Sequence, residues 1–237
     1  MNMKTKAPVY KPTVGEGVYT VPDAAHILKF SQSKLRRWVS GYWRTFDEVR
    51  KERTVPVVDS GVWGDGRDRA FNFYTLIELY TIVALRDIGV SFKKIRRARE
   101  ELSKRFKTKH PFAAHKLMSD GRQILVEIKE GDLQSILELD AHGQTAIEQI
   151  IKPFCRKLEF NVQTELVEVY RPLGEKTSII VSPHHGFGRP TIEGTNITSE
   201  TIYNLVVAGE DRQTIEKLYD LSPSYIEEVI EFERRAA

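Results

Sequence analysis

Gln32, Ser33, Lys34, Arg36 and Arg37 crowd into one short segment around Leu35, Trp38 and Val39. The three apolar residues sit at spacings of three and four, so they share one face of a helix, and the basic residues fall mostly off that face. Long cationic donors on an exposed helix are the groups that reach phosphate oxygens and guanine edges. Tyr42 and Arg44 follow just past Gly41, placed to pack against the next element or touch a nucleic-acid backbone. Arg67 and Arg69 flank a turn rich in Gly and Asp, from which they would reach an adjacent minor groove or its phosphates. Lys93, Lys94, Arg96, Arg97 and Arg99 form a denser run on a later helix. Each phosphate such a run neutralised would steepen the salt dependence of binding.

Other chemistry finds no set of residues. His184 and His185 are adjacent but have no Cys/His partners at ligand spacing, and Cys155 is the only cysteine, so no zinc site is expected. His110 and His115 read as structural. Gly186-Phe187-Gly188 lacks the Gly-Lys-Ser/Thr that completes a phosphate-binding loop. No Ser, His and Asp set is assignable. The expectation is a non-enzyme with no cofactor and no metal.

The elements that must position the basic residues are legible. Thr20 or Val21 caps a short helix with Pro22 in its first turn and Asp23 near its positive end. Lys29-Phe30-Ser31 breaks it, and Ser31 or Ser33 caps a second helix from Gln32 to Val39. Two short helices with a tight turn are the helix-turn-helix layout. Thr54–Val58 reads as an edge strand around Pro56, and Ala70–Phe73 as the strand returning from the turn, giving a wing. Tyr74–Arg86 and a Ser91-capped Phe92–Phe106 are amphipathic helices. Beyond them, Asp120-Gly121 marks a hairpin, Thr145–Cys155 a helix, Leu158–Arg171 a strand by its alternation, and Ile179–Ser182 a short strand. Thr191–Ile197 is a tight turn or hairpin. Helices over Ser199–Ala208, Asp211–Tyr219 and Ser222–Arg234 close the chain.

Composition agrees with this division. Of 237 residues, 41% are hydrophobic and 29% charged, ordinary for a globular protein. Residues 1–110 carry 23 Lys/Arg against 12 Asp/Glu, while residues 111–237 carry 13 against 21. A basic half joined to an acidic half points to two different partners. No run is long and apolar enough to span a bilayer, the start lacks a signal-peptide pattern, and the lone cysteine suits a reducing compartment; a cytoplasmic protein is expected. The fold expectation is mainly α with small β elements: a flexible arm over 1–17, a winged helix-turn-helix over 18–108, a central α+β module over 109–181, and a three-helix domain over 182–237.

Two resemblances add to this. Tyr19-Thr20-Val21-Pro22-Asp23-Ala24-Ala25, Leu35-Arg36-Arg37-Trp38 and Leu85-Arg86-Asp87-Ile88-Gly89-Val90-Ser91 resemble the DNA-binding domain of MerR-type regulators. The long dimerising helix of that family does not follow, so its effector sensing is not carried over. Gly188-Arg189-Pro190-Thr191-Ile192-Glu193-Gly194-Thr195, with Ile197, Ile202, Gly209 and Tyr219-Asp220-Leu221-Ser222, resembles a small domain associated with VapB-type antitoxins. A MerR-like head with this tail is similar to one subgroup of those antitoxins. The resemblance implies a type II toxin–antitoxin system: a homodimer that represses its own operon on double-stranded operator DNA and neutralises a PIN-like ribonuclease toxin. Such toxins hold Mg²⁺ with clustered carboxylates, which Arg189, Arg234 and Arg235 would engage by charge-assisted hydrogen bonds. The alternative is a stand-alone MerR-like regulator whose C-terminal half binds an effector or partner.

Overall fold

The computed structural model describes residues 13, 15–41, 43–45, 51–64, 66–87, 89–114 and 154–234, with backbone alone for residues 43–45, 51–53 and 67. The expected hairpin around Asp120-Gly121 and most of the Thr145–Cys155 helix lie outside the described residues. Within them the chain is mainly helical, with seven α-helices and small antiparallel sheets.

The chain enters through β1 (Tyr19–Thr20) and turns at once into α1 (Val21–Leu28). Thr20 and Asp23 form a reciprocal capping box, and Pro22 occupies the first turn, where its missing N–H costs nothing. Lys29, in the left-handed conformation, stops the helix. After Phe30 and Ser31, α2 (Gln32–Ser40) begins. Ser31 holds the N-cap position, yet its hydroxyl bonds Ser33 and caps no backbone N–H. Ala24, Ala25, Ile27 and Leu28 of α1 share a core with Leu35, Trp38 and Val39 of α2.

Two small sheets follow. β2 (Trp43–Thr45) pairs with β3 (Lys51–Arg53), while β4 (Val62–Trp63), β5 (Ala70–Phe71) and β1 make a three-stranded sheet in the order β1-β5-β4. The strand expected at Thr54–Val58 is absent: the pairing residues are Lys51–Arg53, and the chain then runs irregularly. Pro56 has no N–H to give a ladder, and the Val57 N–H bonds the carbonyl of Trp38, so the segment seals the end of α2. The returning strand stops at Phe71. Asn72, nearly fully buried, accepts from the Thr75 N–H at 3.0 Å and starts α3 (Phe73–Asp87). Ser91 caps α4 (Phe92–Phe106) as expected.

Past the undescribed segment, β6 (Leu158–Phe160) and β7 (Val167–Tyr170) form a hairpin. The sequence reads Leu158–Arg171 as one strand, but Asn161 accepts from the N–H groups of Gln163 and Thr164 and folds an Asx-turn into the middle. Val162, which alternation would place on a buried face, is 87% exposed at that turn. The hairpin packs on α3, where Tyr80 stacks on Phe154 at 4.3 Å and tilts against Tyr170 at 4.7 Å. Phe154, Cys155, Leu158, Val167 and Tyr170 thereby join the core of the helix-turn-helix.

The C-terminal unit has its own core. β8 (Ile179–Ile180) pairs with β9 (Thr191–Ile192), and α5 (Ser199–Ala208), α6 (Arg212–Tyr219) and α7 (Pro223–Arg234) follow. Thr198 and Asp211 cap α5 and α6, and Gly209 and Asp220 end them in left-handed conformations. Ile179, Ile192, Ile202, Ile215, Ile226, Val229 and Phe232 interlock. Arg171 brackets the unit's base by binding both Glu159 and Glu193.

Candidate nucleic-acid interface

On α2, packing sorts the side chains cleanly. Leu35, Trp38 and Val39 are buried, while Gln32, Ser33, Lys34 and Arg37 are exposed and Arg36 is half-buried. Lys34 and Arg37 turn toward α4 and form one wall of a cleft of about 770 Å³. Lys93, Arg96 and Arg97 of α4 form the other wall, and Arg86 closes one end. Among the described residues, six cations thus face a space containing two acids, Asp87 and Glu100. Residues Thr54 and Val55 make the lip, where the Arg96 guanidinium donates to the Val55 carbonyl at 2.5 Å.

The floor is aromatic. Phe30 and Trp38 lie 5.0 Å apart, Trp38 meets Phe92 edge-on at 5.2 Å, Lys34 sits 5.4 Å over Phe30 and Arg86 4.7 Å over Phe92. These ring contacts hold flexible cations over a rigid base, which lowers the entropy lost when they meet an anion. Low-dielectric walls with one sign of charge focus the field into such a cleft.

Arg99 does not belong to this surface. It turns inward to grip the fully buried Glu78 through its Nε and one terminal nitrogen and also reaches Asp59 at 3.4 Å. A buried carboxylate needs such a partner, so Arg99 ties α4 to α3. The basic run itself gives no sign of this, because Arg99 sits among the cleft residues; Glu78, the one acid inside an apolar helix, was the available clue. Arg86 was not singled out from sequence and is brought in by the α3–α4 turn.

The remaining expected residues fall in different places. Arg69 is half-buried beside the Gly66–Asp68 turn. Arg67 lies in that turn and Arg44 in β2, with their side chains outside the described set, as are all of Tyr42 and Arg235. Arg189 and Arg234 are exposed on the C-terminal unit, and Arg189 stands 3.9 Å from Glu200. Among the described residues no cluster of three or more His, Cys, Asp or Glu could hold a metal, and no helix is long and apolar enough to cross a membrane.

Two buried groups outside the cleft stay protonated at neutral pH. Burial pushes the Cys155 thiol up to about 12. Burial, reinforced by Asp23, also raises the Tyr19 phenol well above its ordinary range.

Comparison with known proteins defines the class first. Residues 17–99 match a family described as "Putative DNA-binding HTH domain", and residues 179–232 match one described as "Protein of unknown function (DUF433)". The chain therefore joins an N-terminal helix-turn-helix to a C-terminal DUF433 region. It is a distant homologue of "Putative antitoxin VapB45" from Mycobacterium tuberculosis (strain ATCC 25618 / H37Rv), with 21% identity over 222 residues, 90% of this chain and 92% of that protein. The crystal structure of Rv2018 from Mycobacterium tuberculosis shares the fold, with a TM-score of 0.69 at 18% identity over 90% of this chain and 96% of that one.

Proposed function

We propose that this protein is a DNA-binding antitoxin of a type II toxin–antitoxin pair. The cationic cleft between α2 and α4 carries the DNA half of the reading. In it, Lys34, Arg37, Lys93 and Arg97 engage consecutive backbone phosphates, while Gln32, Ser33 and Arg36 face the groove edges. The hairpins between α2 and α3 act as a wing in a MerR-like arrangement, with Arg44, Arg67 and Arg69 on or beside it. A two-fold dimer would place two such heads on inverted operator repeats and repress the chain's own operon.

The partner half rests on the homology, which runs through both units. The partner is a PIN-like ribonuclease, whose metal-binding carboxylates would be occupied by Arg189 or by Arg234 and Arg235. Co-expression with the product of the adjacent gene tests this. A stable complex together with rescue of growth from that product's toxicity is expected. Neither complex nor toxicity would refute it. Retention of full inhibition by an Arg234→Ala/Arg235→Ala variant would leave Arg189 as the blocking residue.

A further inference from the structure

The C-terminal unit touches the helix-turn-helix at α1, away from the cationic cleft. His26 Nε2 lies 2.9 Å from Glu233 Oε2 at the end of α7. The Ser199 hydroxyl at the start of α5 donates to the other oxygen of Glu233 at 2.5 Å. The His26 ring meets Phe232 edge-on at 5.3 Å, and Lys29 Nζ sits 4.3 Å over the same Phe232. Lys29 Nζ is also 3.5 Å from His26 Nδ1. An ammonium can only donate, so Nδ1 accepts and Nε2 carries the hydrogen offered to Glu233. Burial alone would push the Glu233 carboxyl up, but hydrogen bonds from His26 and Ser199 and the nearby charge of Lys29 outweigh it and hold it below its usual range.

This arrangement has a mechanical reading. Eight residues are too few for a helix to hold itself in water, so α1 takes its pose from what packs on it. One side of α1 packs on α2, and the exposed side carries His26 and Lys29 to the C-terminal unit. An open cleft of about 430 Å³ separates the two units beside the contact, so the C-terminal unit holds α1 through a few groups and not through a continuous apolar seam.

We propose that Glu233 and His26 are positioning residues for DNA recognition: the last helix of the C-terminal unit latches α1 and, through their shared core, sets the angle of α2. The proposal rests on the DNA-binding reading of the cleft. Neither residue touches DNA; both act through α1.

The test uses the full chain as wild type, Glu233→Gln, His26→Phe and the double variant. His26→Phe keeps the ring against Phe232 and removes the N–H. Affinity is measured at fixed salt on duplexes tiling the DNA upstream of the chain's own gene, and amide exchange of α1 is followed without DNA. Each single variant should weaken binding by about three- to tenfold, with the double no weaker than either single, because one interaction is lost once. His26→Gln, which restores an N–H donor, should recover most of the affinity, and it carries the cycle if His26→Phe does not fold. Exchange of the α1 amides should rise in Glu233→Gln. Affinity within twofold of wild type in Glu233→Gln, or losses that multiply in the double variant, would overturn the latch. A wild-type chain with no salt-dependent affinity for any duplex would overturn the DNA-binding reading itself.

Discussion

Gly188 has φ +88°, and a Cβ there would stand 2.4 Å from the Tyr19 hydroxyl. Both the left-handed conformation and the close approach exclude a side chain. Gly188→Ala should therefore lower stability by about 1–3 kcal/mol, read from the urea midpoint. The Tyr19 hydroxyl is buried with no hydrogen-bond partner among the described residues, so Tyr19→Phe should cost little and should recover part of the loss when combined with Gly188→Ala. Glu193 gives the pH counterpart. The Arg171 guanidinium holds its carboxyl below the usual range against the opposing effect of burial. A carboxyl lowered by folding contributes fully above its unfolded value of about 4.3 and loses that contribution as pH falls through the lowered value. The urea midpoint should fall on acidification below about pH 5, and Arg171→Met should flatten that part of the curve. The sequence marks Gly186-Phe187-Gly188 as an ordered loop but cannot reveal Tyr19 as its neighbour, because nothing local ties the two. The same holds for His26 and Glu233.

Salt dependence belongs to the elements. If α2 and α4 jointly grip a phosphate backbone, Lys93→Ala and Arg97→Ala should each reduce the slope of log K against log salt by about 1, with little change in sequence preference. Binding measured between low and moderate salt checks this, and an unchanged slope would confine the contact to α2. The helices themselves were readable because their signals are local: the Thr20–Asp23 box, Ser91, Asp211, and glycines at the ends. Two of the expected strands were not. Thr54–Val58 has the β-branched composition of a strand, yet its partner is the end of α2, and the hydrogen bond that matters is long-range. Leu158–Arg171 keeps its alternation across a turn that one Asn side chain creates. Periodicity reports faces, and it is blind to a reversal made by a single side-chain acceptor.

At the scale of the molecule, the basic half and the acidic half do not correspond to two separate cores. Phe154, Cys155, Leu158, Val167 and Tyr170 lie in the acidic half of the sequence and complete the core built on α3. Each large apolar side chain so buried contributes about 1.5–3 kcal/mol, which is a large share of the stability of a small domain. A fragment ending at residue 114 should therefore melt far below the full chain, or not fold, when the two are followed by circular dichroism. Full stability in that fragment would make the hairpin an accessory. The charge asymmetry pointed to two partners but not to this return of the chain, since core completion is set by three-dimensional contact and leaves no compositional mark.

Trp38 is 7% exposed, lies between Phe30 and Phe92, and forms part of the lining of the cationic cleft. An indole in that position is a built-in optical probe. Its emission responds to the rings around it and to the cations that line the same cleft, so a polyanion that displaces water and draws in Lys34 or Arg37 should change the colour and intensity of the protein's own fluorescence. The occupancy of the cleft can thus be read in an unlabelled sample, without attaching a dye to either protein or nucleic acid.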